Sequence, residues 1–130
     1  MNILAGRFKG KKIRTIGKAS YRPTKSRVRK SIFDILGDLD GCSVLDLFAG
    51  SGILGFEAAS RGAVAVTFVD NDRRNVQLIH MNSQILQNQV DLKVIRKESI
   101  HYLRVRHEYD IIFADPPYGK IDLFKLVEKC

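Results

Sequence analysis

Residues 43–55, Ser-Val-Leu-Asp-Leu-Phe-Ala-Gly-Ser-Gly-Ile-Leu-Gly, constrain the fold of this 130-residue chain more than any other segment. The short apolar run bounded by glycine suits a strand buried on both faces. Glycines at 50, 52 and 55 follow it, and then an apolar stretch of helical length. The same strand-then-helix unit recurs downstream. Strands are predicted at 65–69, 91–95 and 109–114, with helices at 53–61 and 73–86, a short helical turn near 99–103, and a helix beginning near residue 121. Such alternation implies right-handed crossovers and a mostly parallel sheet with helices on both faces, an α/β fold. Upstream, residues 2–14 read as a basic β-hairpin in which Ile3, Leu4, Phe8 and Ile13 are apolar and Lys9-Gly10-Lys11 supplies the turn glycine. Pro23 biases Arg22 to an extended conformation, and Thr24 or Ser26 can cap a helix running to about Leu36. Val28, Ile32, Ile35 and Leu36 fall on the apolar face of that helix, Arg27, Arg29 and Lys30 on others, and Gly37 stops it. The division expected is a basic extension over residues 1–22 and a core over 23–130.

Charge separates the same two parts. Residues 1–30 hold 11 of the 22 Lys and Arg side chains and none of the 14 acids, so all of the net charge of +8 originates there. A basic segment interleaved with apolar residues and glycine is the footprint of a surface that meets a polyanion. A solvated basic face is the plainer alternative. No apolar run approaches the roughly 18 residues that span a bilayer, and the N-terminus has no signal-peptide core. Cys42 and Cys130 match no metal spacing or redox pair, which fits reduced thiols in a cytoplasmic protein and no metal site.

The loop Asp46-Leu47-Phe48-Ala49-Gly50-Ser51-Gly52 has the makings of a ligand cradle. Gly50 and Gly52 allow a tight turn and close backbone approach, and the helix N-terminus presents free N–H groups. Alone, G-x-G-x-x-G also fits a dinucleotide-binding turn, and Asp70, at the end of the next strand, can accept ribose hydroxyls in either case. Asp46 separates the two. A carboxylate four residues before the first glycine would repel a pyrophosphate. It would attract the ammonium and sulfonium of S-adenosyl-L-methionine, by about 4 kcal/mol at 4 Å and an effective dielectric near 20. A locally paired structural acid is the alternative for Asp46, and helix capping for Asp70. Asn71, Glu98 and Ser99 are candidates for the adenine edge, with plain surface charge at 96–98 as the competing reading.

Asp115-Pro116-Pro117-Tyr118 follows the apolar run Ile111-Ile112-Phe113-Ala114. Two prolines stiffen the loop and leave no N–H to satisfy there. An exocyclic amine on a base is a poor nucleophile because its lone pair is delocalised into the ring. Hydrogen bonds from that amine to Asp115 and to the Pro116 carbonyl favour a pyramidal nitrogen, while Tyr118 can stack on the base and hold it in line.

Together, L-D-L-F-A-G-S-G-x-L-G, Asp70 and D-P-P-Y resemble the Rossmann-like class I adenosylmethionine-dependent amino-methyltransferases. Ala5-Gly6-Arg7-Phe8-Lys9-Gly10-Lys11-Lys12-Ile13 and Arg22-Pro23-Thr24 with Arg27 resemble one branch, the bacterial small-subunit ribosomal RNA guanine-N2 methyltransferases. The resemblance implies that the loop containing Arg22 and Thr24 helps close the cofactor pocket. It also implies that Arg7, Lys9, Lys11, Lys12, Arg22 and Arg27 grip ribosomal RNA, free or in a small-subunit assembly intermediate. DNA adenine-N6 methylation is the nearest rival, protein-glutamine methylation ranks lower, and a non-catalytic nucleic-acid-binding remnant is the reading from another class. The family's sheet has seven strands, and the fifth to seventh are not found here. The expectation is therefore a bare edge at residues 111–114, with self-association through it or marginal folding and weak activity.

Overall fold

The computed structural model describes residues 1–15, 26–99, 102, 108–114 and 124–126. Helix α1 (Ser26–Leu36) precedes β1 (Ser43–Leu47), α2 (Ile53–Ser60), β2 (Ala65–Asp70) and α3 (Arg73–Asn82). A 3-10 turn (Ser83–Leu86), β3 (Asp91–Arg96), β4 (Ile111–Ala114) and β5 (Phe124–Leu126) follow. The sheet runs β3-β2-β1-β4-β5. The first four strands pair in parallel, as the β–α alternation demands.

Strand β5 corrects two expectations. Residues 124–126 are a strand and not part of a helix, and they pair antiparallel with β4 in the register Ile111↔Leu126, Ile112↔Lys125, Phe113↔Phe124. The apolar residues from Ile121 onward fit either period, and the open main-chain groups of β4 decide it. The edge at 111–114 is thereby covered over three of its four residues, so the bare-edge expectation does not hold.

One sheet face carries the main core. Val44, Val66, Phe68 and Phe113 meet Phe33 of α1, Phe56 of α2 and Ile79 of α3. Phe56 and Phe68 stack at 4.8 Å between centroids, and Phe33 tilts onto Phe113 at 5.6 Å. All eight residues of α2 are buried, the polar Glu57 and Ser60 among them. The opposite face gathers Leu45, Leu47 and Val69 with Tyr102, whose N–H donates to the Glu98 carbonyl. The Tyr102 hydroxyl lies 3.1 Å from that of Tyr109, and burial first, then this hydrogen bond, pushes its pKa up.

Three further differences have local causes. The expected hairpin is held by one antiparallel bridge, Asn2↔Lys12, with turns closed by Lys9 N–H to Gly6 O and Lys11 N–H to Phe8 O. The expected helix over 73–86 tightens into the 3-10 turn after Asn82, then ends on left-handed Gln87 and Asn88. On α1 the buried side chains are Arg29 and Phe33, while Ile35 is 83% exposed and Val28 45% exposed. Ile32 and Leu36 of the expected face pack against the core, while Val28 and Ile35 are turned out and Arg29 is buried beside its counter-charge on α2.

Candidate functional site

The parallel strands end together at one rim, where β1 reaches Leu47, β2 Asp70, β3 Arg96 and β4 Ala114. The chain proceeds from β1 outward to β2 and β3, then returns to β4 on the other side of β1. Such a reversal opens a crevice beyond the carboxyl ends of the central strands, the place where ligands bind in open α/β sheets.

The glycine loop occupies that crevice. Phe48 leaves β1 in the left-handed region at φ 55, and Gly50 and Gly52 continue at φ 60 and 87. Strain at a non-glycine residue persists only where its surroundings fix it. Here the Phe48 N–H donates to Ser99 Oγ at 3.1 Å, and the Ala49 N–H to the Val69 carbonyl at 3.1 Å. Gly52 caps α2 with no side-chain bond, and a Cβ there would meet the Phe56 ring at 2.7 Å. At Gly55 a Cβ would lie 2.3 Å from Phe68, so this glycine lets α2 settle against β2.

The two loop carboxylates have more to do than their sequence positions reveal. Asp46 is 2% exposed, and its Oδ2 accepts from the Gly55 N–H at 3.0 Å, an acid held by the first turn of α2. Asp70 Oδ2 accepts from the Gly50 N–H at 2.9 Å, while Oδ1 accepts from the Asp72 N–H at 2.9 Å and Asn75 Nδ2 at 3.2 Å. A carboxylate offers about four acceptor positions. Asp70 thus pins the loop and keeps capacity toward a ligand hydroxyl, with the Asn75 amide the most easily displaced partner. Asp72 caps α3 by accepting from the Arg74 N–H at 2.8 Å. The Arg74 side chain, then that backbone bond, holds its carboxyl below the ordinary 3.8.

The adenine-edge candidates divide. Ser99 is buried and brought to the loop through Phe48. Asn71 and Glu98 are exposed at the rim, and the Asn71 carbonyl accepts from Arg96 Nε at 3.2 Å. The proposed cofactor ligand Thr24, the RNA candidate Arg22 and the catalytic candidates Asp115, Pro116, Pro117 and Tyr118 lie outside the described residues, as does Cys130. Ala114, the register partner of Leu47, ends β4 at the same rim immediately before Asp115 in the sequence.

The basic N-terminal arm lies against α2. Glu57, fully buried, accepts from the Leu4 N–H at 2.9 Å, the Ala5 N–H at 3.1 Å and Arg61 Nε at 2.9 Å. Arg29 Nη1 stands 3.7 Å from Glu57 Oε1, and its guanidinium donates to the Asn2 carbonyl at 3.2 and 3.3 Å. Burial lowers the Arg29 pKa, Glu57 opposes that, and Arg61 adds to it. Ser60 completes the seat, donating to the Ala5 carbonyl at 2.6 Å and accepting from the Phe8 N–H at 2.8 Å. The expectation that Arg29 occupies an outer face is therefore overturned. Arg7, Lys9, Lys11, Lys12, Arg14 and Arg27 are exposed; Arg7 donates to Gln89 at 2.8 Å. Sequence reasoning missed Glu57, Ser60 and Asn82; for the first two, a polar side chain on an otherwise apolar helix was the available signal.

Among the described residues, no helix is long and apolar enough to cross a membrane. The sequence is similar over 98% of its length to "Putative rRNA methyltransferase YlbH" of Bacillus subtilis, with 37% identity and 72% of that protein covered. It is 32% identical to "Ribosomal RNA small subunit methyltransferase D" of Escherichia coli, over 92% of this chain and 61% of that one. The fold matches a solved structure from Escherichia coli, "Putative methyltransferase yhhF", with a TM-score of 0.81 and 30% identity, covering 92% of this chain and 65% of the other. A second solved structure, "SMU.776, a putative methyltransferase complexed with SAH", matches 70% of this chain and 25% of its own with a TM-score of 0.58 and 29% identity. The family described as Conserved hypothetical protein 95 matches residues 1–130 in full, and the chain belongs to that family.

Proposed function

We propose that the chain is an S-adenosyl-L-methionine-dependent RNA methyltransferase, acting on the exocyclic N2 amine of a guanine in small-subunit ribosomal RNA. The observation that carries this reading is the glycine loop at the switch point of the sheet, held by Asp70 and Ser99, with Asp46 buried and bonded to the first turn of α2. The residues present fit the cofactor. Gly52 has no room for a side chain, Asp70 is bonded to the loop with acceptor capacity left for a ribose hydroxyl, and the Asp46 carboxylate suits a cationic amino-acid portion. The name of the Bacillus subtilis relative supports ribosomal RNA as the substrate class, and that of the Escherichia coli relative supports the small subunit.

In this reading Asp70 orients the ribose, Asp46 supplies negative potential to the ammonium and sulfonium, and the rim near Asn71, Glu98 and Ser99 receives the adenine. Thr24 and the loop containing Arg22 close over the pocket. The bound cofactor supplies an electrophilic methyl group on its sulfonium sulfur. Asp115 and the Pro116 carbonyl accept hydrogen bonds from the target amine, Pro117 keeps the loop stiff, and Tyr118 stacks on the base. This arrangement lowers the barrier by positioning. Arg7, Lys9, Lys11, Lys12, Arg22 and Arg27 hold phosphates.

The test is methyl transfer from radiolabelled S-adenosyl-L-methionine to small ribosomal subunits, free ribosomal RNA, duplex DNA and a glutamine-containing peptide in parallel. Label is expected in ribosomal RNA alone. Label in DNA adenine would establish the rival amino-methylase reading, and no transfer to any substrate would support a binding remnant.

A further inference from the structure

Asn82, the last residue of α3, is 3% exposed and makes three hydrogen bonds to main chain far from it in sequence. Its Oδ1 accepts from the Arg14 N–H at 2.9 Å, and its Nδ2 donates to the Arg14 carbonyl at 3.1 Å. The second Nδ2 proton goes to the Ser51 carbonyl, also at 3.1 Å. One amide thus grips both polar groups of Arg14, as a neighbouring strand would, and reaches the cofactor loop with its remaining donor. The two N–H donors of a primary amide are both used.

The other anchors of the arm sit elsewhere. Leu4, Ala5, Arg7 and Phe8 are held by Glu57 and Ser60, toward the far end of α2 from the loop. At 1.5 Å rise per residue, Ser60 stands about 12 Å along the helix from Gly52. Among the described residues, the hydrogen bonds joining the arm to the loop at 48–52 run through Asn82.

We propose that Asn82 is a positioning residue that latches the basic N-terminal arm to the cofactor loop, so that cofactor and RNA each strengthen the binding of the other. A ligand that orders Ser51 orders Asn82, and through it Arg14 and the cations leading to it. Order established by the first ligand need not be established again by the second, and the coupling is necessarily reciprocal. The RNA half of this proposal rests on the function proposed above; the latch itself does not.

The latch has a direct reporter, since the Arg14 amide is one of its three bonds. Hydrogen exchange at Arg14 is measured by NMR with and without S-adenosylhomocysteine, in the wild type and in Asn82→Asp. The acid retains an acceptor for the Arg14 N–H and loses both donated bonds. Cofactor product should slow Arg14 exchange several-fold in the wild type and leave it unchanged in the variant, with ligand occupancy confirmed by calorimetry in both. In parallel, S-adenosylhomocysteine should tighten binding of small-subunit ribosomal RNA on the order of fivefold in the wild type and not in Asn82→Asp. A residue that merely supported the fold would lower the melting temperature and leave both ratios intact. An Arg14 amide indifferent to the ligand in the wild type overturns the latch, and that arm of the experiment needs no substitution to fold. A responsive Arg14 in a protein that does not bind the RNA overturns the RNA reading alone.

Discussion

Replacing Glu57 with alanine should be among the most damaging single changes available in the described part of the chain, although Glu57 is not a proposed ligand of cofactor or RNA. The carboxylate is fully buried and serves the Leu4 and Ala5 N–H groups, Arg61 and the buried Arg29. Its removal leaves the Arg29 guanidinium without its counter-charge. Breaking a buried pair by deleting one partner costs about 3–5 kcal/mol, and the two part-buried N–H groups left behind fall within that cost rather than adding fully to it. Against a total stability of about 5–15 kcal/mol, this is about a fifth or more of what holds the domain folded. At about 3–4 °C per kcal/mol for a domain of intermediate size, the melting temperature should fall by about 10–20 °C. Thermal melts of the reduced protein followed by circular dichroism measure that shift, and urea titration measures the free energy. Asp34→Ala is the control, because the Lys30–Asp34 pair at 2.8 Å is exposed on both sides and is worth no more than about 0.5 kcal/mol. Replacing both buried partners, Glu57→Leu with Arg29→Met, should recover part of the loss. A Glu57→Ala protein within about 1 kcal/mol of the wild type would refute the reasoning.

Other outcomes follow from the same geometry. Gly55→Ala should destabilise by about 1–3 kcal/mol, since its Cβ would stand 2.3 Å from Phe68, and thermal melts would show it. Asp70→Ala should weaken S-adenosyl-L-methionine binding by about 1–3 kcal/mol in calorimetry, because it removes the proposed ribose acceptor and frees the Gly50 N–H. Neutralising Lys9, Lys11 and Lys12 should weaken RNA binding across sequences. It should also flatten the log–log salt slope by about 0.7–0.9 for each phosphate these side chains no longer neutralise. The depressed Asp72 pKa means that its cap stabilises α3 fully above the ordinary 3.8 and progressively less as pH falls through the lower folded value. The stability difference between wild type and Asp72→Ala should accordingly hold at neutral pH and shrink in acid.

The strand–loop–helix signal was legible because glycine spacing and an apolar run report backbone geometry directly. The four parallel strands and the place of the glycine loop followed from it, whereas the bonds that Asp46, Asp70 and Ser99 make to the backbone there did not. What sequence could not show was pairing at a distance. Arg29 and Glu57 are 28 residues apart, and a charge in an amphipathic stretch is ordinarily a surface charge, so the pattern alone turns α1 to bury Val28 and Ile35. Residues 124–126 carry a pattern that either period fits, and only the open side of β4 selects a strand. Asn82 gave no signal at all, since a helix-terminal asparagine is commonplace and its three partners lie 31 and 68 residues away.

The central claim is tested most directly by nucleoside mass spectrometry. Small-subunit ribosomal RNA lacking the modification is incubated with the chain and S-adenosyl-L-methionine, then digested to nucleosides. N2-methylguanosine should accumulate with the wild type, and Asp115→Ala should abolish it while cofactor affinity changes little. Methylation at another atom, or undiminished N2-methylguanosine from Asp115→Ala, would contradict the claim.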